Sequence, residues 1–533
     1  MATIDYWAEA PLSREQIPLF DPTLDGVIAE DDSVRLFDEV LGEVDWSPWE
    51  AEYHAARRGQ PPIHPRHVAG AILYGLCRGL RSSRKLEEAT VYRLDFRWLL
   101  LGRRIDHTTL SKFRGKFRSQ LKDLFKQLGR IAMTIGLIRL GEVAFDGTRV
   151  KANNSRYATR TAKTLAEKLA ALDALFDEMM DALEATDAAE QKTFNQDDSP
   201  TQLPPELAEL DARREKIRAA MEQAQAADEQ RKKKGVNPEQ NPAQTPTTDP
   251  DSRVMPNKEG GYAPNYTPVA TTDGENGFIV DCDVTDEVNE ASLALPSVEN
   301  IEAIFGEKPE KFLTDAGNNH GHIMQQMEEA GVAFYAPATP SGPQEGNPAK
   351  RDDPTQPVPP EQWNELPRNS QKKLDKSCFV YDDELDQYHC PQGETLAFEK
   401  TKPDVRGGAR VTLRVYRCDA CAGCPLAEHC VSSQSKGGRT ITRDGYEEVR
   451  DRTAARMATE EARELYNQRP RIAETTFGNM KSILGLRQFL LRGLENVKHE
   501  WQWACTAFNL GKLVRHLARL RAEFAQLAAD GES

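Results

Sequence analysis

The sequence predicts an α/β protein: a mixed sheet behind a helical N-terminal region, interrupted by a helical hairpin and a small cysteine-rich segment. Three observations predict it. From about residue 65 to residue 130, apolar residues recur at three- and four-residue spacing, the period of helices with one buried face. Between residues 142 and 337, short apolar runs alternate with turns and then with helical stretches, so the sheet is antiparallel first and parallel later. Residues 377–450 hold six of the nine cysteines, in a segment too short to build a large core of its own.

Residues 1–60 are acidic and turn-rich and are read as a leader. Residues 61–140 follow as a helical, DNA-binding region. HVAGAILYGLCRGL has helical spacing, and SSRKLEEA starts a helix with Ser83 as a possible N-cap. DHTTLSKFRGKFRSQLKDLFKQLGR reads as a third helix, capped by Asp106 or Thr108. Lys112, Arg114, Lys116, Arg118, Lys122 and Lys126 lie along it. Short helices with a basic last member suit a helix-turn-helix-like module. The same spacing also describes a plain helical bundle with a charged face.

The formal net charge of −15 argues against a nucleic-acid partner, but its distribution does not. Residues 61–140 hold 17 basic and 5 acidic side chains, a net of +12, and residues 466–521 hold 10 and 3, a net of +7. The rest of the chain therefore carries −34. Two basic blocks in an acidic chain fit local gripping of phosphates. Mean hydropathy is −0.64, and no apolar run approaches the roughly 20 residues of a membrane span. With no secretory pattern at the N-terminus, the expected compartment is the cytoplasm, in association with the nucleoid.

Residues 142–146 read as a strand ending at Asp146 and Gly147. An insertion over 155–255 follows. Leu165, Leu169, Leu172, Leu175, Met179 and Leu183 keep helical spacing, as do Leu207, Leu210, Ile217, Met221 and Ala224 after the break at 197–205. This is an expected helical hairpin, followed by a polar, Pro-rich linker. TPVATTD and GFIVDCDVT are strands joined by a turn at GEN. A helix is expected over 289–305, a strand in KFLTDAG, a helix in NHGHIMQQMEEAG and a strand in VAFYAP. Residues 338–376 read as a Pro-rich excursion rather than core. The core domain is thus assigned to 141–337 and 451–521, with 338–450 as an insertion.

VAFDG and FLTDAG each place an aspartate at the carboxyl end of an apolar strand, where α/β sheets bind ligands. Asp146 and Asp315 are the candidate cation ligands. Two aspartates hold two dications weakly, so a third acid is expected. Cys418, Cys421, Cys424 and Cys430 form C-x2-C-x2-C-x5-C, with Cys390 upstream. In a reducing compartment this pattern signals a metal. Structural zinc, held by four of the five, is the first reading; an iron–sulfur cluster is the second and free thiols the third.

These motifs resemble the insertion-sequence transposases of the DDE superfamily, most closely the group numbered eleven-eighty-two. The resemblance spans roughly 60–515. It is carried by the block ILYGLCRGLRSSRKLEEATVYRLDFRWLLLGRRIDHTTLSKFR, by FDGTRVKANNSR and FLTDAGNNH, and by YNQRPRIAETTFGNMKSILGLRQFLLRGLENVKHEW. It implies a ribonuclease-H-like catalytic domain with Asp146, Asp315 and Glu474 as the acids. In the last motif it implies Tyr466, Arg469 and Lys481 as DNA-facing residues. Four residues separate Arg469 from Glu474 where the related pattern has three, so either Arg469 or Arg471 meets the phosphate.

The resemblance further implies two Mg²⁺ or Mn²⁺ ions, with Asp146 bridging them and Asp315 and Glu474 holding one each. It implies cleavage at the terminal repeats of a bacterial-type element, then attack by the freed 3′-hydroxyl on double-stranded target DNA. Synapsis of two ends implies a homodimer. Two other readings remain: a different ribonuclease-H-like nuclease such as a resolvase, and a non-catalytic DNA-binding descendant.

Overall fold

The computed structural model describes residues 23–54, 62–155, 159–194, 205–233, 235–257, 260–338, 340, 342–406, 409–432 and 437–531. The first 22 residues of the expected leader, and the expected break at 197–205 up to Pro205, lie outside the described residues. The chain forms two compact units, residues 1–120 with 510–533, and residues 121–509.

The first unit is helical. Its helices are α1 (Ser33–Gly42), α2 (Ser47–His54), α3 (Pro65–Cys77), α4 (Ser83–Tyr92), α5 (Leu94–Leu99) and α6 (His107–Lys116). Residues 33–42 and 47–54, read from sequence as leader, are therefore helical. Asp32 caps α1 by accepting the Val34 N–H, and Val34, Phe37, Val40 and Leu41 form its buried stripe. Small residues let α3 approach its neighbours: a Cβ on Gly75 would fall 2.1 Å from Leu86 Cδ2. Ser82, not Ser83, occupies the N-cap position of α4, and Asp106 caps α6 through the Thr109 N–H.

The long basic helix expected after Asp106 is broken. The chain leaves helical geometry at Phe117, and α7 (Arg118–Thr134) starts afresh. The cause is aromatic packing: Phe117 turns inward to lie 4.5 Å from the Phe113 ring and 5.0 Å from that of Trp49, which is fully buried.

The second unit is built on a seven-stranded sheet. Strand β1 (Glu142–Gly147) is followed by β2 (Val150–Lys151) and by β3 (Thr159–Arg160), which pairs with β4 (Thr245–Pro246). Then come β5 (Arg253–Pro256), β6 (Tyr262–Asp273), β7 (Ile279–Thr285), β8 (Lys311–Leu313) and β9 (Ala333–Tyr335). The long β6 pairs antiparallel with β1 and β7 through its second half, and with β2 and β5 through its first. On its other side β1 runs parallel to β8, and β8 parallel to β9. This is a ribonuclease-H-like mixed sheet, antiparallel first and parallel later, as the sequence predicts.

Between β3 and β4 the chain makes two long helices, α8 (Ala162–Phe194) and α9 (Pro205–Lys233). They pack through Leu165, Ala220 and Ala224, and Arg214 pairs with Asp173 at 2.6 Å. The expected apolar stripe is not all buried, since Leu175 is exposed. Helices α10 (Ala294–Phe305) and α11 (Gly321–Glu329) occupy the later crossovers.

A separate five-stranded sheet holds the cysteines: β10 (Val380–Asp382), β11 (Gln387–His389), β12 (Thr395–Arg406), β13 (Ala409–Arg417) and β14 (Thr440–Arg443), with the short helix α12 (Ala427–Cys430). Ala349, Leu366 and Leu374 are buried in its core. Part of the Pro-rich stretch read as an excursion thus completes this module, because the module's own strands offer too few apolar side chains.

After α13 (Glu447–Ala458), helix α14 (Glu460–Ser482) crosses the main sheet. Its Ala462, Leu465, Ile472 and Ala473 pack on Ala144, Leu313 and Tyr335. Helix α15 (Leu494–Gly531) then contributes Val497, Trp501, Ala504 and Phe508 to the core that α14 shares through Phe477 and Met480.

Candidate active site

Strand alternation decides where Asp146 points. On β1, Phe145 faces the stacked rings of Phe312 and Phe334, so Ala144 and Asp146 share the opposite face. That face is the one covered by α14. The parallel register pairs Val143 with Phe312 and Ala144 with Leu313. Continued for two residues, it sets Asp146 beside Asp315. Both aspartates therefore stand at the carboxyl ends of adjacent parallel strands.

A third acid joins them. Glu290 sits on the turn after β7, at the start of a 3-10 turn (Ala291–Leu293). One ligand oxygen each from Asp146, Glu290 and Asp315 lies within 4.8 Å of the others. Asp146 and Glu290 are each 8% exposed, and Asp315 is half-buried. Asp146 Oδ1 accepts the Gly147 N–H at 2.9 Å, and Asp315 Oδ1 accepts the Gly317 N–H at 2.9 Å. Burial pushes the Glu290 carboxyl above its ordinary range, and the neighbouring Asp315 and Asp146 charges add to the rise. An acid group of this kind suits hard divalent cations such as Mg²⁺, which take oxygen ligands and keep several waters.

Sequence reasoning missed Glu290 because it follows no apolar strand directly and lies 25 residues before Asp315. The available signal was the acid at the end of the third strand, in DEVNEAS.

Helix α14 brings basic side chains to the same place. Arg469, 9% exposed, reaches Asp146 Oδ1 with Nη2 at 3.1 Å, while its Nε is buried with no hydrogen-bond partner. Arg471 is exposed, so of the two arginines it is Arg469 that faces the acids. Lys481 donates from Nζ to Thr148 Oγ1 at 2.7 Å, tying the end of α14 to the end of β1. Burial raises the Tyr466 hydroxyl; Arg469 opposes the rise, and Asp315 and Asp146 reinforce it. Glu474 is exposed on α14 and is not among the three acids whose ligand atoms lie within 4.8 Å of one another. The inward face of the helix there is taken by Ile472, Ala473 and Thr476, one residue or more out of phase with Glu474.

Of the basic residues expected to meet DNA in the first unit, Lys112 and Arg118 are exposed. Arg114 donates to the Arg81 carbonyl at 2.7 Å. Lys116 lies 4.8 Å from the Tyr53 ring centre and donates to the Glu52 carbonyl at 3.3 Å.

The cysteines form a second cluster. Cys390, Cys418, Cys421, Cys424 and Cys430 line one small cavity together with Arg439. The Gln392 N–H points at Cys390 Sγ and the Arg439 N–H at Cys421 Sγ, both at 3.3 Å. Amide donors aimed at sulfur are what thiolate ligands require around them. Burial pushes the thiols of Cys418 and Cys430 up to about 12. Among the described residues, the acidic group is the one that brings three possible ligand atoms within 4.8 Å.

Two family models match the chain: a Transposase DDE domain over residues 389–514 and a Transposase domain (DUF772) over residues 22–116. The first spans the cysteine cluster and the Tyr466–Lys481 helix, and the second spans α1 to α6. Asp146, Glu290 and Asp315 lie between the two matches. No curated protein matches the chain. No helix among the described residues is long and apolar enough to cross a membrane. With transposase domains matched towards both ends and a ribonuclease-H-like sheet that gathers acids at its strand ends, this chain is similar to the DDE insertion-sequence transposases.

Proposed function

We propose that the protein cuts the ends of a bacterial-type insertion sequence and joins them to target DNA, using divalent cations held at the ends of β1 and β8. The observation that carries this reading is the convergence of Asp146 and Asp315 beside the buried guanidinium of Arg469. Two bound Mg²⁺ or Mn²⁺ ions would neutralise charge on the phosphodiester and activate water, then the 3′-hydroxyl. Asp146 and Asp315 hold those ions. Arg469, paired with Asp146 at the strand end, carries the positive charge that would face the phosphate there. Lys481 fixes the helix against Thr148, and Tyr466 stands at the edge of the site.

Glu474, exposed on α14, is the third acid of this reading. It precedes Lys481 by seven residues, roughly 20° short of two full turns, so both project from one stripe of the helix. Lys112, Arg114, Lys116 and Arg118 belong to the surface that holds the terminal repeat, and a homodimer brings two ends together. Four of the five cysteines hold a structural zinc ion, which would close the small module without taking part in the chemistry.

The test is metal-dependent nicking of DNA that carries the element's terminal repeats. Asp146→Ala and Glu474→Ala should each abolish cutting while retaining DNA binding. A Glu474→Ala variant that cuts as well as the parent removes Glu474 from the site. A parent that binds cognate ends but never cuts them favours a binding-only descendant.

A further inference from the structure

We propose that Glu290 is a metal ligand of the same centre, a fourth acid beyond Asp146, Asp315 and Glu474. The inference rests on the reading of Asp146 and Asp315 as ion-holding residues. Its own support is the state of the Glu290 side chain. The carboxylate is more than nine-tenths buried, and it points at two other acids. Its own amide is the donor beside it, and the charge of Arg149 acts on it from nearby. The nearby cation, Arg149, is committed elsewhere: it donates to Thr267 Oγ1 at 2.8 Å and to the Val288 carbonyl. A buried carboxylate whose nearby cation spends its hydrogen bonds on other groups is costly, and a bound cation removes the cost.

The surroundings hold Glu290 in this position. Asn289 donates to the Gly317 carbonyl at 2.7 Å and accepts the Ala291 N–H at 2.7 Å, which ties the Glu290 turn to the Asp315 loop. Thr267 Oγ1 donates to the Glu287 carbonyl at 2.6 Å, and Arg149 holds the next residue. Glu290 also lies over Gly147: a Cβ there would meet Glu290 Cδ at 3.1 Å and Oε2 at 3.2 Å. The small residue after Asp146 is what lets the third carboxylate close on the strand end. A glutamate that served only packing would need none of these restraints toward two other acids.

The experiment is Mn²⁺ binding to the full-length protein without DNA, read from the free-ion electron paramagnetic resonance signal. Mn²⁺ prefers oxygen ligands, so the cysteine cluster does not compete. Glu290→Gln should weaken Mn²⁺ binding by roughly ten-fold or more, as should Asp315→Asn. Its thermal midpoint without metal should be unchanged or higher, because one of three like charges is gone. If Glu290→Gln does not fold, Glu290→Asp keeps the charge, retracts it by one methylene and should lose affinity likewise. Wild-type affinity in the folded Glu290 variant, with affinity lost in Asp315→Asn, overturns the assignment of Glu290 and leaves the rest of the centre standing. No Mn²⁺ binding by the parent overturns both.

Discussion

The acidic centre and the cysteine cavity both gather groups that bind cations, yet they are assembled in opposite ways. The acids come from three places far apart in the chain, 146, 290 and 315, and meet because a parallel register and one turn bring them together. Four of the five cysteines come from a stretch of thirteen residues, and the module around them is organised locally. The acidic centre has a half-exposed member in Asp315, through which substrate can approach. The cysteine cavity is lined by mostly buried sulfurs and has little room for anything but an ion. One arrangement suits chemistry, the other closure.

The comparison can be broken most decisively at the cysteines. Replacing both Cys421 and Cys424 by Ser leaves three thiols, fewer than a closed zinc site needs. Structural zinc contributes on the order of 10 kcal/mol in small domains, so the metal should be lost and residues 340–443 should become protease-sensitive. Mn²⁺ binding at the acids should persist; its loss would show that the two regions are not independent.

The next effect is catalytic. Asp315→Asn should lower cognate-end nicking by a factor on the order of 10²–10³, with the thermal midpoint little changed, since the side chain is half-buried. Zinc content, measured by atomic absorption, should not change.

Gly147→Ala gives a smaller effect. The added methyl forces Glu290 to shift by a few tenths of an ångström, which should weaken Mn²⁺ binding by about ten-fold and cost about 1 kcal/mol of stability. Urea unfolding and Mn²⁺ titration separate the two effects.

A further effect concerns a buried acid of the same sheet. Asp281, on β7, accepts a hydrogen bond from Asn300 at 3.3 Å and has its carboxyl pushed up to about 7 by burial. The folded state therefore holds this proton more tightly than the unfolded chain does. Below about pH 4 both states are protonated and the group carries no penalty. Stability falls as the pH rises from 4 to 7, and above 7 the penalty is fully in place. Asp281→Asn should raise the melting temperature by a few degrees at pH 8 and by almost nothing at pH 4. An equal gain at both pH values would mean that Asp281 is ionised throughout.

Local signals were legible in the sequence, and convergent ones were not. The strands at 142–147, 267–273 and 279–285 were readable because apolar runs stop at Gly and Asp. The cysteines were readable because their spacing is itself the signal. Asp146 and Asp315 could be found because each ends an apolar strand. Glu290 was harder to find: it stands five residues past the third strand, and nothing near it in sequence records that the turn after β7 folds back over Gly147. Helix α1 had a readable stripe in Val34, Phe37, Val40 and Leu41, but acidic, turn-forming neighbours obscured it. The break at Phe117 depends on Trp49, 68 residues away, and no helical periodicity reports such a partner.

The pairing of Arg469 with Asp146 bears on the order in which the protein matures. Three carboxylates crowded at one strand end would repel each other in a newly made chain that had met no metal. The guanidinium already stands among them as a resident counter-charge, so the sheet can close on the ribosome's schedule rather than the ion's. The strand end can therefore close with its charges partly balanced from within the chain.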